Sequence, residues 1–167
     1  MNVSENSRVW IYQSSRFFNA EEESRILNRL EAFVSEWQAH GSRLVAAVEI
    51  KYHLFIILSV DEEQAPATGC SIDRSVNLMK DIEHQFDIKL FDRFQIAYRD
   101  VSEIKLCSRN QFAALINSGV ISHDTIVFNN LVHTRKALQT DWEIPLYQSW
   151  HMRVFKSDPS PLRKTGD

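Results

Sequence analysis

Residues 69–76 bring together side chains and a predicted helix terminus that could bind an anion or activate a thiol. The segment is Gly-Cys-Ser-Ile-Asp-Arg-Ser-Val and comes directly before an amphipathic stretch. The amino end of a helix carries free N–H donors and a partial positive charge, and both favour an anion. The residues predicted to bind such a ligand here are Gly69, Ser71, Asp73, Arg74 and Ser75. The alternative interpretation is that the hydroxyls and the carboxylate are ordinary helix caps.

Cys70 is the candidate nucleophile of this segment. A helix terminus lowers the pKa of a thiol, and His151 would then act as the base and Asp73 would orient it. This arrangement requires the end of the chain to fold back over the helix. The alternative interpretation is that Cys70 is a small buried residue in a tight turn.

An aromatic group near the end of the chain is a second candidate site. Aromatic walls with a few polar groups are typical of ligand pockets, although the same residues could simply cover the core. The aromatic group is Trp142, Tyr147, Trp150, His151 and Phe155, and the polar candidates beside it are Arg153 and Asn129-Asn130.

The composition is typical of a single soluble domain. The 167 residues carry a net charge of −3 and are 44% hydrophobic, which gives no electrostatic reason to expect nucleic acid. The longest apolar run, residues 54–58, is too short to span a membrane. Two cysteines make no disulfide framework, and the six histidines lack metal-binding spacing. We therefore expect a cytoplasmic protein that needs no metal or cofactor and contacts neither membrane nor nucleic acid.

Hydrophobic periodicity predicts the elements that would position these residues. Strands are predicted over residues 8–13, 43–50, 53–60 and 90–98. One helix is predicted between an Asn19 cap and a Gly41 stop, and a second over 72–86 with Ser71 as its cap. The element order is β-α-β-β-α-β, which predicts an α+β fold of the ferredoxin-like type with both helices on one sheet face.

The other face of this sheet needs a cover, because the strand over 53–60 is apolar on both sides. We expect a C-terminal α/β extension, residues 104–155, to cover it, and a second copy of the chain in a homodimer is the alternative. The extension is predicted to contain strands at 104–107 and 125–128, a helix from Ser108 to Asn117 and a helical turn at 134–139. The expected domain is 8–155, between flexible segments 1–7 and 156–167.

Three short segments resemble a family of small uncharacterised bacterial proteins, many of which carry an ABC transporter ATPase label. They are residues 69–76, residues 125–131 (Thr-Ile-Val-Phe-Asn-Asn-Leu) and Ser149-Trp-His151. The likeness covers most of 8–155 and implies no catalytic residues. The ATPase label lacks support, since none of the four glycines belongs to a G-x-x-x-x-G-K-[ST] loop that could embrace phosphates.

Three functions follow as hypotheses. The first is a cytosolic module that binds a small anionic ligand or a protein partner between the start of the second helix and the C-terminal aromatic group. The second is a Cys70-dependent transferase or hydrolase. The third is a homodimeric interaction protein.

Overall fold

The computed structural model describes residues 3–155, and the α+β class predicted from the sequence is confirmed. The first half contains β1 (Arg8–Gln13), α1 (Ala20–Glu36), β2 (Gln38–Ala39), β3 (Ser42–Arg43), β4 (Val45–Lys51), β5 (Phe55–Asp61) and α2 (Gly69–Phe86). The second half contains β6 (Gln95–Asp100), β7 (Glu103–Ser108), α3 (Arg109–Asn117), β8 (Ile126–Phe128), α4 (Arg135–Thr140), β9 (Glu143–Pro145), a 3₁₀ turn (Leu146–Gln148) and α5 (His151–Val154). The segment 156–167, predicted to be flexible, lies outside the described residues.

The first sheet has the antiparallel order β1-β5-β4, and α1 and α2 pack on one of its faces. β5 is fully buried because successive side chains point to opposite faces and both faces are covered. On the helix side Ile56 and Leu58 pack among residues of the two helices, which include Ile26, Leu30, Met79 and Ile82.

The opposite face of β5 packs against a second antiparallel sheet, of order β7-β6-β8-β9. Phe55 and Ile57 meet Phe128 and Trp142 there, so the C-terminal half of the chain buries this face itself. α3 packs on the outer face of the second sheet, where Phe112 joins a separate cluster with residues of β6, β7 and β8. The molecule is therefore layered as helices, sheet, sheet, helix.

The four-stranded ferredoxin-like sheet is not formed, because its fourth strand joins the second sheet. β1, β5 and β4 pair in the order that this layout requires, but β6 pairs with β7 and β8 instead of with β1. Residues 90–94, predicted to begin the strand, are a loop in which the Asp92 carboxylate accepts a hydrogen bond from the Phe94 amide. Phe94 is 65% exposed. β6 starts after this loop and forms a local hairpin with β7.

Two helix boundaries differ from the predicted ones. Gly41 does not end α1, which stops at Glu36; it lies in the turn between β2 and β3, where His40 and Gly41 have φ of 51° and 78°. That pair of positive φ angles is typical of a tight two-residue hairpin turn. α2 begins three residues earlier than predicted, with Thr68 in place of Ser71 as its cap. The predicted Ser108 cap of α3 is confirmed, together with its Gln111 partner.

The residues just before β1 are held by hydrogen bonds, although residues 1–7 were predicted to be flexible. The Ser4 amide donates to the Asp61 carboxylate at 3.2 Å. The carbonyls of Glu5 and Ser7 accept from the amides of Lys136 and Arg135, in the first turn of α4. Residues 1 and 2 lie outside the described range.

Candidate functional site

The structure does not bring Cys70 and His151 together. Cys70 is exposed in the first turn of α2, so it is not the buried thiol of the alternative interpretation. His151 is 3% exposed on α5 and lies beside Phe112 of α3, with ring centroids 5.9 Å apart. The two residues belong to helices that pack on different sheets. A thiol enzyme built on this pair has no support from the geometry.

The two serines of the predicted anion site are buried and bonded within α2. The Ser71 hydroxyl donates to the Thr68 carbonyl and accepts from the Thr68 amide, both at 2.8 Å. The Ser75 hydroxyl donates to the Ile72 carbonyl at 2.7 Å. These contacts are those of a capping serine and an intrahelical serine. Gly69, Asp73 and Arg74 are exposed, and anion binding by this helix terminus stays a prediction.

A cavity of about 710 Å³ lies along the edge of β1. Among the strands of residues 3–155, β5 is the one that pairs with β1, so β1 lies at the edge of its sheet. The walls come from four parts of the chain: residues 8–13, residues 90–93 with 95–97, residue 128 with 130–133, and residues 150–151. The cavity therefore occupies the side of β1 where the missing fourth strand was expected.

The edge of β1 offers backbone hydrogen-bonding groups to this cavity. Along an antiparallel strand the N–H and C=O groups of alternate residues point to opposite sides. Ser14 donates to Leu54 beside β5, so even-numbered residues face β5 and odd-numbered residues face the open edge. The backbone amide of Val9 donates to the His133 carbonyl at 3.0 Å. Within residues 3–155 the carbonyl of Val9, both backbone groups of Ile11 and the amide of Gln13 have no hydrogen-bond partner.

A chain of side-chain hydrogen bonds fixes one wall of the cavity. The indole N–H of Trp142 donates to Asn130 Oδ1 and the Asn130 amide donates to Gln13 Oε1, both at 2.9 Å. The side-chain Nε2 of Gln13 then donates to the Gln95 backbone carbonyl at 3.2 Å. The network links β1 to β6 and to the loop after β8, so this wall is positioned before any ligand arrives.

Two buried polar atoms of cavity-lining residues lack a partner among the described residues. They are the acceptor Gln95 Oε1 and the donor Trp150 Nε1, and both lie beneath the cavity surface with almost no accessible area. An unpaired buried polar group costs roughly 1–3 kcal/mol, and these two atoms could reach a ligand only after their side chains move. Trp150 is held by stacking on His151, with ring centroids 3.9 Å apart.

His151 lines the same cavity as a neutral imidazole. Its Nδ1 lies 2.7 Å from the Ser149 hydroxyl, and burial lowers the pKa of His151 to about 4. A histidine with so low a pKa is a weak base near neutral pH. It is suited to hydrogen bonding and stacking more than to proton abstraction.

The mouth of the cavity combines apolar and cationic side chains. Phe91 and Leu131 are 42% and 69% exposed there. Arg8 and Arg93 are exposed residues of the cavity lining, and Asp92 is the acidic residue next to Arg93 in sequence. Arg8 lies over the Trp10 ring at 4.6 Å and 3.7 Å from the Glu62 carboxylate. Arg93 has no ion pair within the described range.

Some of the predicted site residues lie at this cavity and others do not. Trp150, His151 and Asn130 line it, whereas Arg153 is exposed on α5 and is not part of the wall. Sequence reasoning missed the edge of β1, because it assigned that edge to a fourth strand. The Leu-Phe-Asp-Arg-Phe segment at 90–94 was the available signal, since Asp92 stabilises a turn there.

Comparisons with protein-family models, with curated proteins and with solved structures each find no match for this chain. Across residues 3–155, no group of three His, Cys, Asp or Glu side chains could hold a metal ion. No helix in that range is both long and apolar enough to cross a membrane.

Proposed function

We propose that this protein binds a small, partly apolar organic ligand in the cavity beside β1. The observation that carries the proposal is the combination of aromatic side chains and the unpaired backbone groups of β1 in one cavity of about 710 Å³. Cavities that bind small molecules have volumes of roughly 300–1,000 Å³ and pair apolar walls with a few polar groups.

The binding energy would come mainly from the aromatic walls. Trp10, Tyr12, Phe128 and Trp150 line the cavity, and burying a ring-sized ligand against them removes apolar surface from water. The unpaired backbone amide and carbonyl of Ile11 would give the ligand its orientation, since one donates and the other accepts a hydrogen bond. Arg93, which has no ion pair among the described residues, could bind a negatively charged group of the ligand at the mouth. This is a different place from residues 69–75, where the sequence predicts an anionic ligand.

Binding is favoured over catalysis because the described cavity lining contains no serine, threonine, cysteine or lysine that could act as a nucleophile. Two histidines line the wall, His133 and His151, and the buried His151 has a pKa of about 4, far below the usual working pH of a general base. The resemblance to the bacterial family and the cytoplasmic location stay predictions, and the proposed function depends on neither.

Fragment screening by NMR, in which the indole N–H signals of the protein are observed, tests the proposal. The probes are a mixed set of aromatic amides and aromatic carboxylates. The chain has four tryptophans, so its indole N–H signals are few. We expect binding fragments to shift the signals of Trp10 and Trp150, which line the cavity. Trp37 is an internal reference, because its indole N–H is buried and bonded to the Ser71 carbonyl at 2.9 Å.

A matched pair of variants completes the test. Leu131→Ala removes an exposed apolar side chain at the mouth and should weaken fragment binding about five-fold, by about 1 kcal/mol of lost contact. Val120→Ala shortens another exposed aliphatic side chain outside the cavity wall and should leave binding unchanged. If no fragment moves the Trp150 signal, or if both variants weaken binding equally, the proposed function is wrong.

A further inference from the structure

We infer that the ligand of this cavity is a short extended peptide with a free carboxylate, bound as an added strand on β1; this rests on the proposed function. The open edge presents the Val9 carbonyl, the Ile11 amide and carbonyl and the Gln13 amide in the alternation of a β-ladder. An extended peptide carries the complementary donors and acceptors at the same spacing. An aromatic compound without amides would leave the Ile11 groups unpaired.

The length of the open edge limits the peptide to a few residues. At one end the Val9 amide is bonded to the His133 carbonyl, and beyond the other end the Ser15 amide is bonded to the Lys89 carbonyl. From residue 9 to residue 13 the strand spans about 13 Å, at roughly 3.3 Å per residue. That length corresponds to about four residue spacings, which an acetylated tripeptide can span.

Side chains on both sides of β1 would flank the peptide. Trp10 and Tyr12 point to one face of the strand and Val9 and Ile11 to the other, and all four line the cavity. Alternate side chains of an added strand would therefore meet aromatic surface on one face and aliphatic surface on the other. These contacts favour peptides with apolar residues.

Arg93 at the mouth favours a peptide that ends in a carboxylate. Its guanidinium has no ion pair among the described residues, whereas Arg8 lies 3.7 Å from the Glu62 carboxylate, and Asp92 already accepts the Phe94 amide. A guanidinium group binds a carboxylate through charge-assisted hydrogen bonds. A capped peptide would have the same backbone contacts without this contribution.

Amide hydrogen exchange with peptide pools tests the inference. The probes are a pool of acetylated tripeptides with free carboxylates, the same pool as carboxamides, and the acid pool with every amide N-methylated. We expect the acid pool to slow exchange at Ile11 and Gln13 about ten-fold and the N-methylated pool to have no effect. The carboxamide pool should need about ten times the concentration for half-maximal protection.

Two arginine variants provide the matched control. Arg93→Gln should raise the half-maximal concentration of the acid pool toward that of the carboxamide pool, whereas Arg74→Gln, on exposed α2 surface outside the wall, should not. Unchanged exchange at Ile11, or equal binding of acid and carboxamide pools, overturns the inference. If aromatic fragments still move the Trp150 signal in that case, the proposed small-ligand function stands and its peptide identity is wrong.

Discussion

At the scale of single residues, burial sets the protonation of His151. The folded pKa of about 4 lies below the ordinary value of 6.5, since burial penalises the imidazolium ion. In the unfolded chain the same ring takes up a proton near pH 6.5. The folded state therefore gains full stability from the neutral ring above pH 6.5, and this stability is lost as the pH falls toward 4.

We expect the free energy of unfolding of the wild-type protein to fall more steeply than that of His151→Gln between pH 6.5 and pH 4. The difference between the two curves should reach roughly 2–3 kcal/mol over this window, and urea unfolding at several pH values measures it. His84→Gln replaces an exposed histidine of α2 and should keep the wild-type slope. Parallel curves for the wild type and His151→Gln would show that His151 is solvated.

Residue types alone could not separate Cys70 from its neighbour Ser71. Both are small residues at the start of α2, yet Cys70 is exposed and Ser71 is 2% exposed. Adjacent positions on a helix point about 100° apart, so the helix start decides which of them faces the core. The predicted helix began at residue 72, whereas α2 begins at Gly69. The prediction therefore placed Cys70 and Ser71 before the helix, although both lie in its first turn.

At the scale of elements, the cap of α2 shows how a helix start is fixed. The Thr68 hydroxyl accepts from the Ser71 amide at 3.3 Å, and the Ser71 hydroxyl accepts from the Thr68 amide at 2.8 Å. This reciprocal pair satisfies two backbone donors at once. It lets the helix include Gly69, whose backbone is entropically costly to order in a helix.

We expect Thr68→Ala to lower the free energy of unfolding by about 1 kcal/mol, because it removes the side-chain acceptor of the cap. Thr68→Ser retains the hydroxyl and should stay close to the wild type. Chemical denaturation of the three proteins gives both values. An alanine variant as stable as the serine variant would mean that the capping pair contributes nothing measurable.

Local patterns predicted most elements because their signals lie within a few residues. β1, the Ser108 cap and the turn of α4 depend on neighbouring side chains, and the structure places them within one or two residues of the prediction. The strand predicted at 90–98 begins later, as β6, and pairs with β7 instead of β1. Its neighbouring side chains could not indicate this partner, because strand pairing depends on distant parts of the chain. Pairing with β7 requires a short turn, whereas pairing with β1 requires contact across some eighty residues of chain.

At the scale of the whole molecule, a polar clamp joins the turn between β4 and β5 to the second sheet. The Tyr52 hydroxyl donates to the Glu143 carboxylate, and Arg99 Nε donates to the same carboxylate at 2.8 Å. The Arg99 guanidinium also lies over the Tyr52 ring at 4.9 Å. Tyr52 and His53 have φ of 57° and 54°, so the turn that carries this tyrosine is tight.

A double-mutant cycle of Tyr52→Phe and Glu143→Gln should give a coupling free energy of about 1 kcal/mol, since the two side chains interact directly. Urea unfolding of the two single variants and the double variant supplies the numbers. The pair Tyr52→Phe and Glu103→Gln serves as the control, because Glu103 is exposed on β7 and should couple negligibly. Additive effects in the first cycle would rule out the clamp as a link between the sheets.

The layered arrangement and the cavity both depend on this long-range assembly. Apolar patterning correctly indicated that β5 is covered on both faces, and residues 104–155, expected to cover the second face, contribute Phe128 and Trp142 to it. The pattern did not indicate that β6 joins this cover as a strand of the second sheet. The cavity could not be predicted from local sequence patterns for the same reason, since its wall combines β1 with residues 130–133 and 150–151. Only the path of the chain brings these segments together.

The bonds between β1 and residues 133–135 have a consequence for biosynthesis. Ser7 and Val9 leave the ribosome early. Their hydrogen-bond partners on the outer side of the strand, the Arg135 amide and the His133 carbonyl, are translated more than a hundred codons later. Until then a nascent chain displays β1 with that flank uncovered. Chaperone contact during translation should therefore concentrate on the first strand and decline once residue 135 has emerged.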